Sequence, residues 1–244
     1  MSPRVTLAVT SRVLTQIRRD RRTLAMLLVL PTLLMALLWW MYEDAGPVFD
    51  RLGPALLAIF PFIVMFLVTS VTTLRERSSG TLERLLAMPM GKLDFLLGYA
   101  AAFGVVAAAQ SAVAVGVSVG LLDLEVAGPV WLLTAVAVTD AVLGTALGLF
   151  VSAFAQTEFQ AVQFMPAVVV PQILLCGLLV PRESMPEVLG AVSDVLPLSY
   201  AVDAMTHLTA SSSTGEVWGD LGVVAGFALA GLALGAATLR RRTP

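Results

Sequence analysis

Three places in this sequence carry residue types that do chemistry. Gly116, Ser118 and Gly120 form G-V-S-V-G, the spacing that seats a serine nucleophile on a sharp strand-to-helix turn. Such a serine needs a base within hydrogen-bond reach. The only histidine, His207, lies in a different kind of segment, and the residues around Ser118 are a continuous small, apolar run. The glycines read better as small residues that let helices approach, as do the pairs Gly144 and Gly148, Gly222 and Gly226, and Gly231 and Gly235. The second place is Asp140, the one acid well inside an apolar stretch. An ionised aspartate at the centre of a bilayer costs about 2.5–3.5 kcal/mol on insertion scales. Two uses fit it: lining a substrate path, or sitting hydrated or hydrogen-bonded nearer the outer face. Gln110, Gln163 and Gln172 are further polar groups suited to a cavity or to bonds between helices. The third place is RERSSGTLERLLAMPM, residues 75–90, with five charges in an otherwise apolar chain. One cysteine, Cys176, and one histidine leave no cysteine or histidine metal cluster and no disulfide within a chain, so Cys176 reads as a small core residue.

The elements that must position these residues follow from composition. The chain has 244 residues, 58% of them hydrophobic and 13% charged, with a mean hydropathy of +0.88. A soluble domain carries about 25% charged residues, so an all-α integral membrane protein is expected. The formal net charge of −2 provides no basic field for nucleic acid. A membrane helix needs about 20 mostly apolar residues. Six stretches meet that length, at about 23–42, 52–74, 95–122, 126–157, 159–181 and 221–239. Prolines 31, 61, 166 and 171 sit inside them, where neighbouring helices re-satisfy the freed backbone groups. The first stretch is too long for a cleaved leader and has no A-x-A-like site after it, so a retained helix is expected.

Charge placement orients the six spans. Arg4, Arg12, Arg18, Arg19, Arg21 and Arg22 precede the first; Arg75, Arg77, Arg84 and Lys92 lie between the second and third; Arg240, Arg241 and Arg242 follow the sixth. With six spans these segments share a side and hold 13 of the 15 basic residues, leaving Arg51 and Arg182 opposite. By the positive-inside rule both termini and residues 75–90 face the cytoplasm.

Within that cytoplasmic loop, Ser78, Ser79 and Gly80 offer a helix start and Glu83 suits the first turn. Leu82, Leu85 and Leu86 share a face, and Pro89 stops the helix. The pattern predicts a short amphipathic helix with Glu83 and Arg84 on its polar side; a plain topogenic loop would need only the arginines. At the N-terminus, Val5, Val9, Val13 and Ile17 recur every four residues with Leu14 beside them, and arginines lie mainly on other faces. A helix over 1–22 lying in the interface is expected, its apolar face in lipid and its arginines among anionic headgroups. A simple basic anchor uses the same residues.

The chain resembles the membrane subunits of ABC exporters of the ABC-2 type over nearly its whole length. The resemblance rests on the basic N-terminal helix, the six spans, and Glu76, Gly80, Thr81, Glu83, Leu85 and Pro89 between spans two and three. It rests also on the segment before span six, with Pro181, Pro186 and the run Pro197-Leu-Ser-Tyr200. It implies a single transmembrane domain over 1–244, with short outer helices between spans five and six. It implies a coupling helix at about 79–89, with Glu76, Gly80, Thr81, Leu82, Glu83, Arg84, Leu85 and Pro89 engaging a cytoplasmic ATPase. The chain has no G-x-x-x-x-G-K-[ST] loop, so ATP and magnesium are expected on separate ATPase subunits. A second permease subunit, identical or not, completes a dimer in the bacterial cytoplasmic membrane. No cofactor of the chain's own and no bond-making activity are implied. The expected cargo is hydrophobic or amphiphilic, a drug, antibiotic or lipid-like molecule. The competing class is a secondary transporter or channel, which would show paired intramembrane charges or an inverted repeat.

Overall fold

The computed structural model describes residues 2–44, 47–78 and 92–238. Among the described residues all regular structure is helical: α1 (Pro3–Arg19), α2 (Arg21–Met41), α3 (Val48–Ser78), α4 (Lys92–Gly120), α5 (Val130–Ser152), α6 (Glu158–Leu175), α7 (Glu187–Ser193), α8 (Pro197–Ala210) and α9 (Gly215–Thr238), with one 3-10 turn at Arg182–Ser184. Six of these, α2 to α6 and α9, are long and apolar enough to cross a membrane. The spans differ in extent from the apolar stretches. α5 is shorter at both ends than 126–157, because 121–129 forms a non-helical link and residues 153–157 turn. α6 stops at Leu175 rather than 181, where Gly177 takes φ +95°, a backbone conformation open to glycine.

α5 is the axis of the bundle. The most apolar window of α5 is 67% buried and that of α3 61%, whereas those of α2, α6 and α9 are 17%, 17% and 22% buried. α3 and α5 meet at the glycines. A Cβ on Gly144 would lie 2.5 Å from the Phe62 carbonyl oxygen, and one on Gly148 2.6 Å from that of Phe66. Hydrocarbon supplies no hydrophobic drive between helices, so this backbone approach and its dispersion contacts hold the seam. Gly116, Gly120, Gly222 and Gly226 have nothing within 4 Å of such a Cβ; within this protomer those glycines seat no neighbour.

Alternating chain direction puts the ends of α2, α4 and α6 and the starts of α3, α5 and α9 at one end of the bundle. Trp39, Trp40, Trp131 and Trp218 all lie at that end, and the rings of Trp131 and Trp218 are 6.1 Å apart, in keeping with an interfacial aromatic belt. Two apolar cores stack along the bundle. One, around Phe62, Leu132, Leu133, Val136, Leu198 and Met205, lies toward the tryptophan end. The other joins Leu27, Met65, Tyr99 and Phe103 to Val9, Val13 and Ile17 of α1. Here the structure departs from the sequence expectation: the α1 stripe assigned to lipid is packed on protein, chiefly α4. The periodicity identifies a face that must leave water but not the apolar surface that receives it.

Candidate functional site

The charged end is organised around the two chain segments that enter and leave residues 79–91. Gly80, Thr81, Leu82, Glu83, Arg84, Leu85 and Pro89 of the expected coupling helix lie outside the described residues; Glu76 and Asp94, on its two flanks, are described and buried. α1 holds both. Arg12 Nη2 donates to Glu76 Oε1 at 3.1 Å, and Gln16 also bonds that carboxylate. On the other flank, the Ser2 backbone N–H and the Thr6 hydroxyl donate to Asp94 Oδ1 at 2.9 and 3.3 Å. Thr10 Oγ1 donates to the Gly98 carbonyl at 3.2 Å, and a Cβ at Gly98 would fall 2.6 Å from that of Val9. Position 98 therefore has to be glycine for α1 to lie this close. Asp20 separates α1 from α2 and caps α2, accepting from the Thr23 backbone N–H and hydroxyl at 3.1 and 2.7 Å. These bonds hold its carboxyl below the usual aspartate range. Arg75 Nε and Nη2 donate to the two oxygens of Glu158 at 3.0 and 3.1 Å, tying the end of α3 to the start of α6.

The opposite end carries a cavity of about 870 Å³, beneath the bent pair α7 and α8, whose axes turn through 88°. Pro186 precedes α7 and Pro197 opens α8, each where a missing N–H is harmless. Arg182 organises the site. Its guanidinium donates to Asp194 and Asp203 and lies 5.1 Å from the centre of the Tyr200 ring, while the Tyr200 hydroxyl donates to the Asp194 carbonyl at 2.7 Å. The two short helices differ in burial: Ala201, Ala204 and Met205 of α8 are buried, while Val188 and Val195 on and just after α7 are 74% and 63% exposed. Sequence reasoning missed Arg182 and Asp203 as a pair. A lone arginine in an outer segment was the available signal, but its partners are brought to it by the α7–α8 bend.

The four polar positions assigned to a path are not brought together at the cavity, whose lining includes none of them. Asp140 and Gln110 are fully buried, and neither polar side-chain atom of either residue has a hydrogen-bond partner among the described residues. Gln172 is buried and donates through Nε2 to the Val168 carbonyl at 3.0 Å; Gln163 is exposed. Ser118 is buried without a base, since His207 engages Glu216 and Ser213 instead. Among the described residues no three His, Cys, Asp or Glu side chains are grouped to hold a metal ion.

Six long apolar helices, a helix bonded to both flanks of residues 79–91 and a cavity at the far end describe a multi-pass membrane protein. Residues 4–209 match the ABC-2 type transporter family, and the chain belongs to it. It is similar to the probable multidrug ABC transporter permease YbhR of Escherichia coli (strain K12), 28% identical over 169 residues, 69% of this chain and 46% of that protein. It is also similar to the probable multidrug ABC transporter permease YbhS of the same strain, 26% identical over 156 residues, 64% of this chain and 41% of that protein. A eukaryotic relative is ABC transporter G family member 20 of Dictyostelium discoideum, 26% identical over 159 residues, 65% of this chain and 22% of that protein. The matched part spans less than half the length of each of these relatives.

Proposed function

We propose that this chain is the permease subunit of an ATP-driven exporter in a bacterial cytoplasmic membrane, with both termini and residues 79–91 on the cytoplasmic side. It makes and breaks no bonds. Separate ATPase subunits bind ATP and magnesium, and their closure moves the 79–89 segment; a second permease subunit completes the path. The carrying observation is the double attachment of α1: Glu76 and Asp94, on either side of the expected coupling segment, are bonded to Arg12 and Thr6 of this one helix. A push on the segment then reaches α3, α4 and α1 together, and through the Gly144 and Gly148 seam reaches α5. Exposed Arg4, Arg18 and Arg19 on α1 suit anionic headgroups at the same surface. The cargo is hydrophobic or amphiphilic, in keeping with apolar spans in which Asp140 is the one acid far from either helix end.

The test is a mild-detergent pull-down of the tagged chain from its native membrane, beside Glu83→Lys and Leu85→Asp variants. A P-loop ATPase recovered with the wild type and lost from variants that still insert supports the reading. Recovery of the chain without an ATPase, with both variants behaving as wild type, overturns it and favours a secondary transporter.

A further inference from the structure

Asp140 sits on the axial helix α5, fully buried, with neither carboxylate oxygen bonded to a donor among the described residues. A buried carboxylate without a donor or counter-charge is costly, and an alanine or leucine would serve packing better. The apolar helices provide no counter-charge: no Arg, Lys or His occurs in residues 23–42, 52–74, 93–120, 130–152, 158–175 or 216–238. A second unsatisfied group lies at the same level. Ser111 Oγ donates to the Ala137 carbonyl at 3.1 Å, which registers α4 against α5. Gln110 and Asp140 are one and three residues from that bond in the same axial direction, so their depths differ by about 3 Å.

The outer cavity has the same sign. Glu183, Asp194, Asp203, Glu216 and Asp220 line it against Arg51, Arg182 and His207. Arg182 is taken up by Asp194 and Asp203, and Asp220 and Glu183 join no ion pair among the described residues. The cavity lies at the end of the bundle toward which α5 begins; Gly177 and Leu178, just after α6, line it together with Asp203 of α8.

We propose that the cargo supplies the missing charge: this permease carries cationic amphiphiles, with Asp140 the internal counter-charge and the acidic outer cavity the next station on the route. The inference rests on the exporter reading above. Gln110 adds a neutral carbonyl acceptor at the depth of Asp140, and low-dielectric walls focus the field of the acids on a passing cation. Apolar spans accept the body of such a molecule, and the aspartate selects its head.

The test uses tetraphenylphosphonium and tetraphenylborate, ions of nearly one shape and opposite charge, with the full-length chain in discs of zwitterionic lipid. Saturable binding above that of empty discs is measured for wild type, Asp140→Asn and Asp140→Glu. Saturable binding of the phosphonium alone, weakened by at least about tenfold in Asp140→Asn and kept in Asp140→Glu, is expected. Equal saturable binding of the borate, no saturable phosphonium binding, or unchanged phosphonium binding in Asp140→Asn overturns the proposal. If Asp140→Asn does not insert, the charge preference of the wild type decides. ATP-driven uptake into inverted native vesicles separates the two readings. Asp140-dependent binding without ATP-driven uptake of either ion sinks the exporter reading and leaves the cation site standing. ATP-driven uptake of the borate that matches that of the phosphonium sinks the cation site and leaves the exporter.

Discussion

A carboxylate buried in a membrane protein is defined by what faces it, and three acids here have three different surroundings. Asp94 collects a backbone N–H and a hydroxyl from α1, Glu76 collects Arg12, and Asp140 collects nothing among the described residues. Arg12 is 35% exposed at its side chain while Glu76 is 7% exposed, so removing the arginine strands the acid more than the reverse. Arg12→Ala is expected to destabilise the chain by about 1–2 kcal/mol, between the ranges for exposed and buried pairs because water screens the arginine. Glu76→Gln should cost less, and the double variant little more than Arg12→Ala alone. Thermal unfolding in detergent, run as a double-mutant cycle, reads the coupling. Additive losses would mean that the pair does not hold α1.

At the scale of elements, glycine spacing has two meanings that the sequence cannot separate and the packing does. Gly144 and Gly148 lie against the α3 backbone, whereas Gly222 and Gly226 face open space within the protomer. Gly144→Ala and Gly148→Ala each force the α3–α5 seam apart and are expected to cost about 1–3 kcal/mol. Gly222→Ala and Gly226→Ala meet nothing in the protomer and should be neutral or stabilising by up to about 1 kcal/mol, since alanine is the better helix former. Detergent-phase melting of all four variants checks the contrast. The same logic explains α1. Its four-residue repeat was legible, and so was the helix, but lipid chains and the side chains of α4 are equally apolar hosts for Val9, Val13 and Ile17.

For the whole molecule, topology is the property that charge placement decides and function depends on. In a Cys176→Ser background, single cysteines at Ser11 and Ser213, both exposed hydroxyl positions at opposite ends of the fold, should label from opposite sides of the membrane. Position 11 should react only after the cytoplasmic face is opened, and position 213 in intact cells. Labelling of position 11 in intact cells, with position 213 protected until the membrane is opened, would invert the positive-inside assignment and take residues 75–90 out of reach of a cytoplasmic ATPase. The bundle itself tolerates that test, because neither side chain belongs to either apolar core.

Six long apolar helices and the all-helical character of the described residues were determined by the sequence alone, because apolar runs of membrane length have one low-energy backbone state in hydrocarbon. Membership of the ABC-2 type family was legible too, because proline, glycine and charge at set spacing are local signals. What only the tertiary structure decided are pairings between distant segments. Arg12 meets Glu76, Ser2 meets Asp94, and Arg182 meets Asp194 and Asp203 across a bend, contacts made by helices whose apolar faces do not specify their neighbours. Asp140 shows both sides of that division. Its oddity was visible as one acid in an apolar run, but its isolation appears only when α3, α4 and α9 close around α5 and none of them brings a donor.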